Sequence, residues 1–143
     1  GAGEVVAIDP VASRRELALQ LGADTADAPE ELGGVLDAAI DCTGLASAVA
    51  NLMEHTRRAI STFGVLREPV PFGFRQWAGG LALLGYGSHN RSAAERALAL
   101  VTGGQLRLAP LVTHTLPLTR YAEGIELLRN KEAIKVLYLP WTE

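Results

Sequence analysis

Two apolar stretches decide the fold: residues 4–9 have the sequence EVVAID, and residues 35–42 have the sequence VLDAAIDC. Both are short runs of mostly β-branched and small apolar residues that end on a polar residue or an acid. This pattern is typical of parallel strands that are buried on both faces. Residues 59–65 and 81–85 have the same character, so we predict that all four segments are strands.

Helical patterns separate these strands. Ser13 and Glu16 have the spacing of a capping box, which predicts a helix that begins there, and Gly22 stands where a helix end favours a left-handed residue. A second helix is predicted over residues 46–55, and three residues form its apolar side: Val49, Leu52 and Met53. Because strands and helices alternate, we predict an α/β fold with a parallel sheet covered on both faces.

Shorter elements are predicted around these. Residues near Thr25 favour a weak strand, and Glu30–Leu32 favour a single helical turn. A short helix is predicted around Trp77, after a loop marked by proline and glycine.

The C-terminal part continues the alternation. A helix is predicted over residues 92–101, with three residues facing inward: Ala97, Leu98 and Val101. Residues 110–117 are punctuated by proline and carry no predicted element. Thr119 is predicted to cap a helix that runs through Leu128, and residues 134–139 are predicted to form a closing strand.

Composition excludes several classes of protein. The chain has 143 residues, of which 48% are hydrophobic and 20% are charged, and its net charge is −3. These values are ordinary for one globular domain, with room for a piece of another. The charges form no runs, so we expect neither a nucleic-acid surface nor an anionic-membrane anchor. No stretch has the length of a membrane span, and no secretory signal pattern opens the chain.

The metal-binding side chains are few and scattered. Cys42 is the single cysteine, so no disulfide forms within the chain, and a reducing cytoplasmic compartment is favoured. Three histidines complete the set, namely His55, His89 and His114. We expect the first two at the surface and the third in a structural role. This set does not supply the four clustered ligands of a structural zinc site, so no metal ligand is assigned.

Several motifs occur in a definite order along the chain. They are EVVAID at 4–9 with Arg14, LGAD at 21–24, DAAIDCTG at 37–44, TFGV at 62–65, LLGY at 83–86, and PLVTH at 110–114 with IKV at 134–136. This order and spacing resembles the C-terminal part of the medium-chain, zinc-type alcohol and polyol dehydrogenases. The resemblance covers nearly the whole chain.

The resemblance implies a truncated Rossmann-type sheet. Residues 1–85 would form a partial NAD-binding Rossmann domain, and residues 86–143 a segment that returns to the catalytic domain. In the family, Gly1 and Ala2 would close the first Rossmann helix, so the first strand and the glycine-rich phosphate loop precede this stretch. The N-terminal catalytic domain, with its zinc ligands, is missing as well. The crossover at Ala28–Leu32 is also shorter than is usual in the family.

Two residues after the first strand have an implied role at the adenosine ribose. Asp9 would accept hydrogen bonds from the ribose hydroxyls and repel a 2′-phosphate, which favours NAD over NADP. Arg14 would pack along the same ribose. The alternatives are an acid favoured by a helix N-terminus for Asp9 and a solvated helix residue for Arg14.

Further residues are implied along the rest of the cofactor. The backbone of Cys42 and Thr43 would line the adenine and ribose path, and the backbone of Phe63, Gly64 and Val65 would bond the nicotinamide carboxamide. We expect the Cys42 thiol itself to be a small buried apolar group. Lys135 matches a basic residue near the pyrophosphate, and its alternative is an exposed strand lysine. No catalytic residue is implied.

The implied function is the cofactor-binding portion of an NAD-dependent oxidoreductase that acts on a secondary alcohol or polyol. Zinc, if used, would belong to the missing N-terminal domain. Three alternatives stay open: a zinc-independent, quinone-reductase-like relative, a non-enzymatic remnant that folds and associates without activity, and another Rossmann enzyme such as a methyltransferase. The residues at 110–139 disfavour the last of these.

Two partners are implied. Residues 75–86 would form part of a homo-oligomer interface, because an apolar edge strand without charges seeks a partner. The absent first strand would lie between the strands at 4–9 and 35–42, since the fold has the order 3-2-1-4-5-6. We expect a complementing N-terminal segment to fill that place. Direct pairing of the two strands and strand swapping between copies are the alternatives.

Overall fold

The computed structural model describes residues 2–87 and 90–141. The expectations for Gly1 and His89 therefore lie outside the described residues. The chain divides into two compact units, Gly1–Ser88 and His89–Glu143. The predicted α/β fold with parallel strands is confirmed.

The first unit alternates strands and helices. Its elements are β1 (Val6–Ile8), α1 (Ala12–Gln20), β2 (Thr25–Asp27), β3 (Leu36–Asp41), α2 (Ala46–His55), β4 (Thr56–Thr62), α3 (Phe74–Ala78) and β5 (Ala82–Gly85). Strands β1 and β2 pair in parallel, and β3, β4 and β5 form a parallel sheet in that order. Asp41 lies opposite Thr62 in the register, so β3 and β4 end at the same sheet edge.

Strands β1 and β3 each keep an open edge. Val6 lies opposite Thr25 of β2, and the described residues show no strand pairing between β1 and β3. At β3, Ile40 is 70% exposed, and Val35 just before it is 57% exposed. Apolar strand residues are rarely left in water in this way, so these edges are incomplete as they stand.

Helix α2 supplies the centre of the core. Val49 of α2 and Ile60 of β4 are fully buried, and they belong to one core cluster with Leu52 and Met53. The sequence predicted the three α2 residues as the apolar side of this helix. Leu32 and Leu81 complete the buried cluster. Burying each large side chain contributes about 1.5–3 kcal/mol, so this cluster anchors β4 beneath α2.

The predicted capping box at Ser13 and Glu16 is wrong. Helix α1 begins at Ala12, and no side chain caps it. Instead, the Asp9 carboxylate accepts a hydrogen bond from the Val11 backbone N–H at 2.8 Å. The helix therefore starts one residue before Ser13, which lies inside its first turn and cannot act as its cap.

Two further boundaries differ from the prediction. Strand β4 runs over residues 56–62 rather than 59–65, because the N–H groups of Phe63 and Gly64 bond to the Asp41 carbonyl beyond its end. The helical turn expected at Glu30–Leu32 is a plain turn in which Glu31 N–H donates to the Ala28 carbonyl. The Glu31 carboxylate accepts from the Ala28 N–H in return, which closes the turn on itself.

The second unit contains α4 (Arg91–Thr102), β6 (Val112–Pro117), α5 (Tyr121–Arg129) and β7 (Lys135–Leu139), with 3-10 turns at Ala109–Leu111 and Leu118–Arg120. Strands β6 and β7 pair in parallel. The sequence did not predict β6, because proline lies just before it and at its last residue. Prolines are tolerated at strand ends, where a missing N–H costs little.

Two predictions for the second unit are wrong. Thr119 does not cap α5, because a 3-10 turn carries the chain into the helix and no side chain caps it. In α4 the residues expected to face inward are exposed, with Leu98 at 64%, and none of its described residues is buried. Within the residues described, no helix is long and apolar enough to cross a membrane.

Candidate functional site

A cavity of about 520 Å³ opens where β3 and β4 end. Its lining consists of Cys42, Thr43, Gly44, Leu45, Ala46, Gly64, Val65, Arg67 and Glu68. Small-molecule sites usually have volumes of about 300–1,000 Å³, and in open parallel sheets they lie at the carboxyl ends of the strands. The position and the size of this cavity therefore suit a ligand.

The Asp41 carboxylate holds the first rim of this cavity. Asp41 is only 2% exposed. Its Oδ1 accepts hydrogen bonds from the N–H of Thr43 at 2.9 Å and from the Thr43 hydroxyl at 2.7 Å. Its Oδ2 accepts from the N–H of Gly44 at 3.0 Å. The turn after β3 is thus closed around a buried acidic side chain.

The Asp41 backbone holds the second rim. Its carbonyl accepts hydrogen bonds from the N–H groups of Phe63 at 2.8 Å and Gly64 at 2.9 Å. One residue therefore connects the loop after β3 with the loop after β4.

The two rims touch through glycine. Gly44 has a φ of +71°, and a Cβ there would collide with the Val65 carbonyl. A Cβ at Gly64 would collide with the Gly44 backbone nitrogen. Both positions require glycine, Gly44 for its backbone angle and both for the close approach of two backbones.

Cys42 lines the cavity but is not the buried group that the sequence predicted. The residue is exposed, because β3 ends at Asp41 and the chain turns outward. Partial burial of the thiol, and then the charge of Asp41, raise its pKa above the ordinary value. A protonated thiol is a weak nucleophile, so this cysteine is not activated for covalent chemistry.

A second polar cluster follows β1. The Asp9 carbonyl accepts a hydrogen bond from Arg15 Nη1 at 2.8 Å. Arg14 Nη1 lies 3.9 Å from Asp9 Oδ2, and both side chains are about one-third exposed. Arg14 Nε is buried and has no hydrogen-bond partner among the described residues. This cluster therefore contains an acceptor, Asp9 Oδ2, and a donor, Arg14 Nε, that lack hydrogen-bond partners among the described residues.

The remaining expected residues are spread further. Phe63 is 52% exposed, and its ring lies 4.9 Å from that of Tyr86. Val65 is 75% exposed, so its side chain is free of the core. Lys135 is exposed at the start of β7, in the second unit. The structure thus brings Cys42, Thr43, Gly64 and Val65 to one cavity, with Phe63 beside it.

Several residues of the site were not predicted from the sequence. Asp41 was treated as part of a strand, and Leu45, Ala46, Arg67 and Glu68 were assigned no role. A signal for Asp41 was present, since an acid followed two residues later by threonine is the pattern of an Asx turn. Arg67 and Glu68 carry no such signal, because they lie in an irregular loop.

Two histidines among the described residues each lie near one polar group. His55 Nδ1 lies 3.2 Å from the Gly34 carbonyl, and His114 Nδ1 lies 3.0 Å from the Thr113 hydroxyl. Among residues 2–87 and 90–141, no three His, Cys, Asp or Glu side chains are placed to hold a metal ion together.

Comparison with known proteins finds dehydrogenases that are similar to this chain. It is 30% identical to sorbitol dehydrogenase of Bombyx mori over 96% of this chain and 44% of the relative. It is 29% identical to L-threonine 3-dehydrogenase of Caldanaerobacter subterraneus subsp. tengcongensis, over 98% of this chain and 45% of the relative. The chain thus spans less than half the length of these curated relatives. No family model matches the chain.

Solved structures share the fold. Alcohol dehydrogenase TADH from Thermus sp. ATN1 superposes with a TM-score of 0.86 at 28% identity, over 97% of this chain and 44% of that one. A Sinorhizobium meliloti 1021 protein determined with bound NADP has a TM-score of 0.83 at 24% identity, over 98% of this chain and 46% of that one. The second match shows the fold alone.

Proposed function

Because this chain corresponds to the C-terminal portion of medium-chain, zinc-type alcohol and polyol dehydrogenases, we propose that it holds the nicotinamide cofactor of such an enzyme. The observation that carries the proposal is the cavity where β3 and β4 end, lined by Cys42, Thr43, Gly64 and Val65. Cofactors of doubly wound sheets bind at this edge. The substrate of the complete enzyme would be a secondary alcohol or a polyol.

Cys42 and Thr43, which were expected along the adenine and ribose path, line the same cavity as Gly64 and Val65, so we propose that this cavity takes the nicotinamide end of the cofactor. A carboxamide carries one acceptor and two donor hydrogens, so it needs both kinds of backbone partner. The N–H groups of Phe63 and Gly64 are already used by Asp41. Among the described residues, the Val65 N–H and the Phe63 carbonyl have no hydrogen-bond partner, so we assign the carboxamide contacts to these two groups. When bound, the nicotinamide supplies hydride transfer to or from the alcohol carbon.

The cluster after β1 suits the adenosine ribose. Among the described residues, Asp9 Oδ2 accepts no hydrogen bond and lies 3.9 Å from Arg14 Nη1, so it is able to accept hydrogen bonds from ribose hydroxyls. Arg14, about one-third exposed, places its positive charge beside it. The negative charge of Asp9 would repel a 2′-phosphate, so we propose NAD rather than NADP. Lys135 is assigned to the pyrophosphate by its match to the family alone.

We propose that the alcohol-binding groups come from outside these residues. The open edges of β1 and β3 support this, since Ile40 beside the gap is 70% exposed. A parallel strand from a complementing N-terminal segment would pair with both edges and cover the apolar side chains. The structure does not favour direct closure, because Val6 pairs with Thr25 and not with residues 35–41.

A second surface suits another copy of the chain. Strand β5 is the outer strand of its sheet, and Leu84 in it is 54% exposed. Phe74 and Trp77 of α3 are 77% and 71% exposed, and their rings lie 5.8 Å apart. Exposed aromatic clusters beside an open apolar edge mark interfaces, so we propose residues 75–86 as part of a homo-oligomer contact. The lone Cys42 agrees with a reducing cytoplasmic location.

The test is an alcohol-oxidation assay with two proteins. The full-length gene product should reduce NAD with at least one secondary alcohol or polyol, and residues 1–143 alone should not, even with zinc added. Turnover by residues 1–143 alone would contradict an external source of catalytic groups. NADH binding by the full-length product without any turnover would instead support the non-enzymatic remnant.

A further inference from the structure

Asp41 lies beneath the cavity, although the sequence predicted no binding role for it. Its carboxylate lies beneath the rim formed by Thr43 and Gly44, and its carbonyl lies beneath the rim formed by Phe63 and Gly64. It accepts five hydrogen bonds in all. Hydrogen bonds to a charged acceptor are stronger than neutral ones, so the carboxylate holds the first rim more firmly than a neutral side chain would, while the backbone carbonyl holds the second.

We propose that Asp41 is the positioning residue of the cavity: its carboxylate fixes the first rim and its backbone carbonyl fixes the second before the ligand arrives. This rests on the proposal that the cavity holds the nicotinamide part of the cofactor. The residue acts through Thr43, Gly44 and the second rim. Its own carboxylate is buried and does not reach the ligand.

Asp41→Asn tests the carboxylate with little change in shape. Asparagine keeps one acceptor oxygen and replaces the other by an NH₂ group. Either orientation sets a donor against the N–H of Thr43 or of Gly44, so the first rim should loosen. The backbone carbonyl at position 41 is unchanged, so the bonds from Phe63 and Gly64 should persist. The two rims are therefore expected to respond differently.

The experiment uses the full-length gene product, Asp41→Asn, and Asp37→Asn as the matched control. Asp37 is exposed on the same strand and makes no side-chain bond within the described residues. Amide hydrogen exchange reports the rims, and fluorescence titrations give the dissociation constants of NADH and ADP-ribose. ADP-ribose lacks only the nicotinamide, so it reports the binding of every other part of the cofactor.

We expect Asp41→Asn to speed exchange at Gly44 more than at Phe63 and to raise the NADH dissociation constant about tenfold, the scale of one lost charge-assisted bond. ADP-ribose affinity should change less than about twofold, and Asp37→Asn should match the wild type. Equal losses for NADH and ADP-ribose would show a general structural role and overturn the proposal. So would unchanged NADH affinity in Asp41→Asn.

A second variant keeps the test decisive if Asp41→Asn does not fold. Thr43→Val removes the hydroxyl bond to Oδ1 and the bond that the hydroxyl accepts from the Leu45 N–H, and it leaves the charge in place. It should raise the NADH dissociation constant about threefold, with ADP-ribose unaffected, and no change would overturn the proposal. If the wild-type protein binds no NADH while its Gly44 amide is protected, the proposed function fails. The positioning role then fails with it.

Discussion

Two polar regions follow strands of the first unit, and they differ in how far the chain satisfies its own groups. Beyond β3 and β4, Asp41 is buried and its carboxylate oxygens have protein partners. Beyond β1, Asp9 is about one-third exposed, and Arg14 Nε has no partner among the described residues. The first region is closed by the chain itself, while the second has donor and acceptor capacity left over.

This difference indicates two ways of preparing a binding site. A rim that internal hydrogen bonds already fix loses little conformational entropy when a ligand binds, so it favours binding through its preformed shape. An unpaired buried donor costs about 1–3 kcal/mol until something bonds it, so its contribution lies in recognition. Substitutions in the first region should therefore affect stability as well as binding, whereas those in the second should affect binding and selectivity.

Gly64→Ala should have the largest effect. The added Cβ would collide with the Gly44 backbone nitrogen, and backbone has little freedom to yield. We expect the free energy of unfolding to fall by about 3 kcal/mol or more, measured by urea denaturation. Gly87→Ala is the control, because its Cβ would meet no atom within 4 Å. Equal stability of the two variants would show that the rims are not in tight contact.

Asp9→Ser should come next, and it tests the open region. Removing the charge that repels a 2′-phosphate should shift the NAD-to-NADP ratio of kcat/KM in the full-length gene product about tenfold toward NADP. Asp37→Ser serves as the control, since it removes an exposed carboxylate elsewhere in the same unit. An unchanged ratio would remove Asp9 from the ribose site.

Arg14→Gln should have a smaller effect. The long, partly exposed pair with Asp9 contributes little to stability, so the melting temperature should stay close to that of the wild type. The loss of the donor beside the ribose should raise the NAD dissociation constant about threefold, measured by calorimetry. A drop in stability without a change in affinity would mean that Arg14 serves α1 rather than a ligand.

The smallest expected effect is on the pH dependence of Cys42 alkylation. This measurement tests both causes of the raised pKa of Cys42, namely partial burial and the charge of Asp41. The thiolate reacts with iodoacetamide, so the rate should rise only at a pH above that of an ordinary cysteine. Asp41→Asn removes the charge of Asp41 and should lower the midpoint, but not to the ordinary value, because burial is the larger cause. An unchanged midpoint would show that the charge of Asp41 does not affect the pKa of Cys42.

Much of the fold could be predicted because it depends on patterns within one element. Helix α2 was predicted with its bounds and its buried residues, and the α/β class and the dehydrogenase resemblance were confirmed. The ends of elements were harder to predict. Strand β4 ends at Thr62 because the N–H groups of Phe63 and Gly64 donate to the Asp41 carbonyl of β3. No pattern inside residues 56–65 contains that information.

The sequence predicted which positions lie at the candidate site better than it predicted the contacts that they make. The Gly64 backbone was expected to bond the nicotinamide carboxamide, whereas in the structure its N–H donates to Asp41 and it packs against Gly44. Asp41 was overlooked because its partners come partly from the next strand's loop, which becomes a neighbour only in the folded sheet. The residues expected at the ribose were read from the family, and their roles stay predictions.

The most direct test of the central claim is an NMR titration of the full-length gene product with NADH. We predict saturable binding, with amide shifts at Val65 and Thr43 in the closed region and at Asp9 in the open one, since the dinucleotide reaches both. Binding should be stronger than that of NADPH. No saturable shift at millimolar NADH or NADPH, or shifts confined to residues far from both regions, would contradict the account.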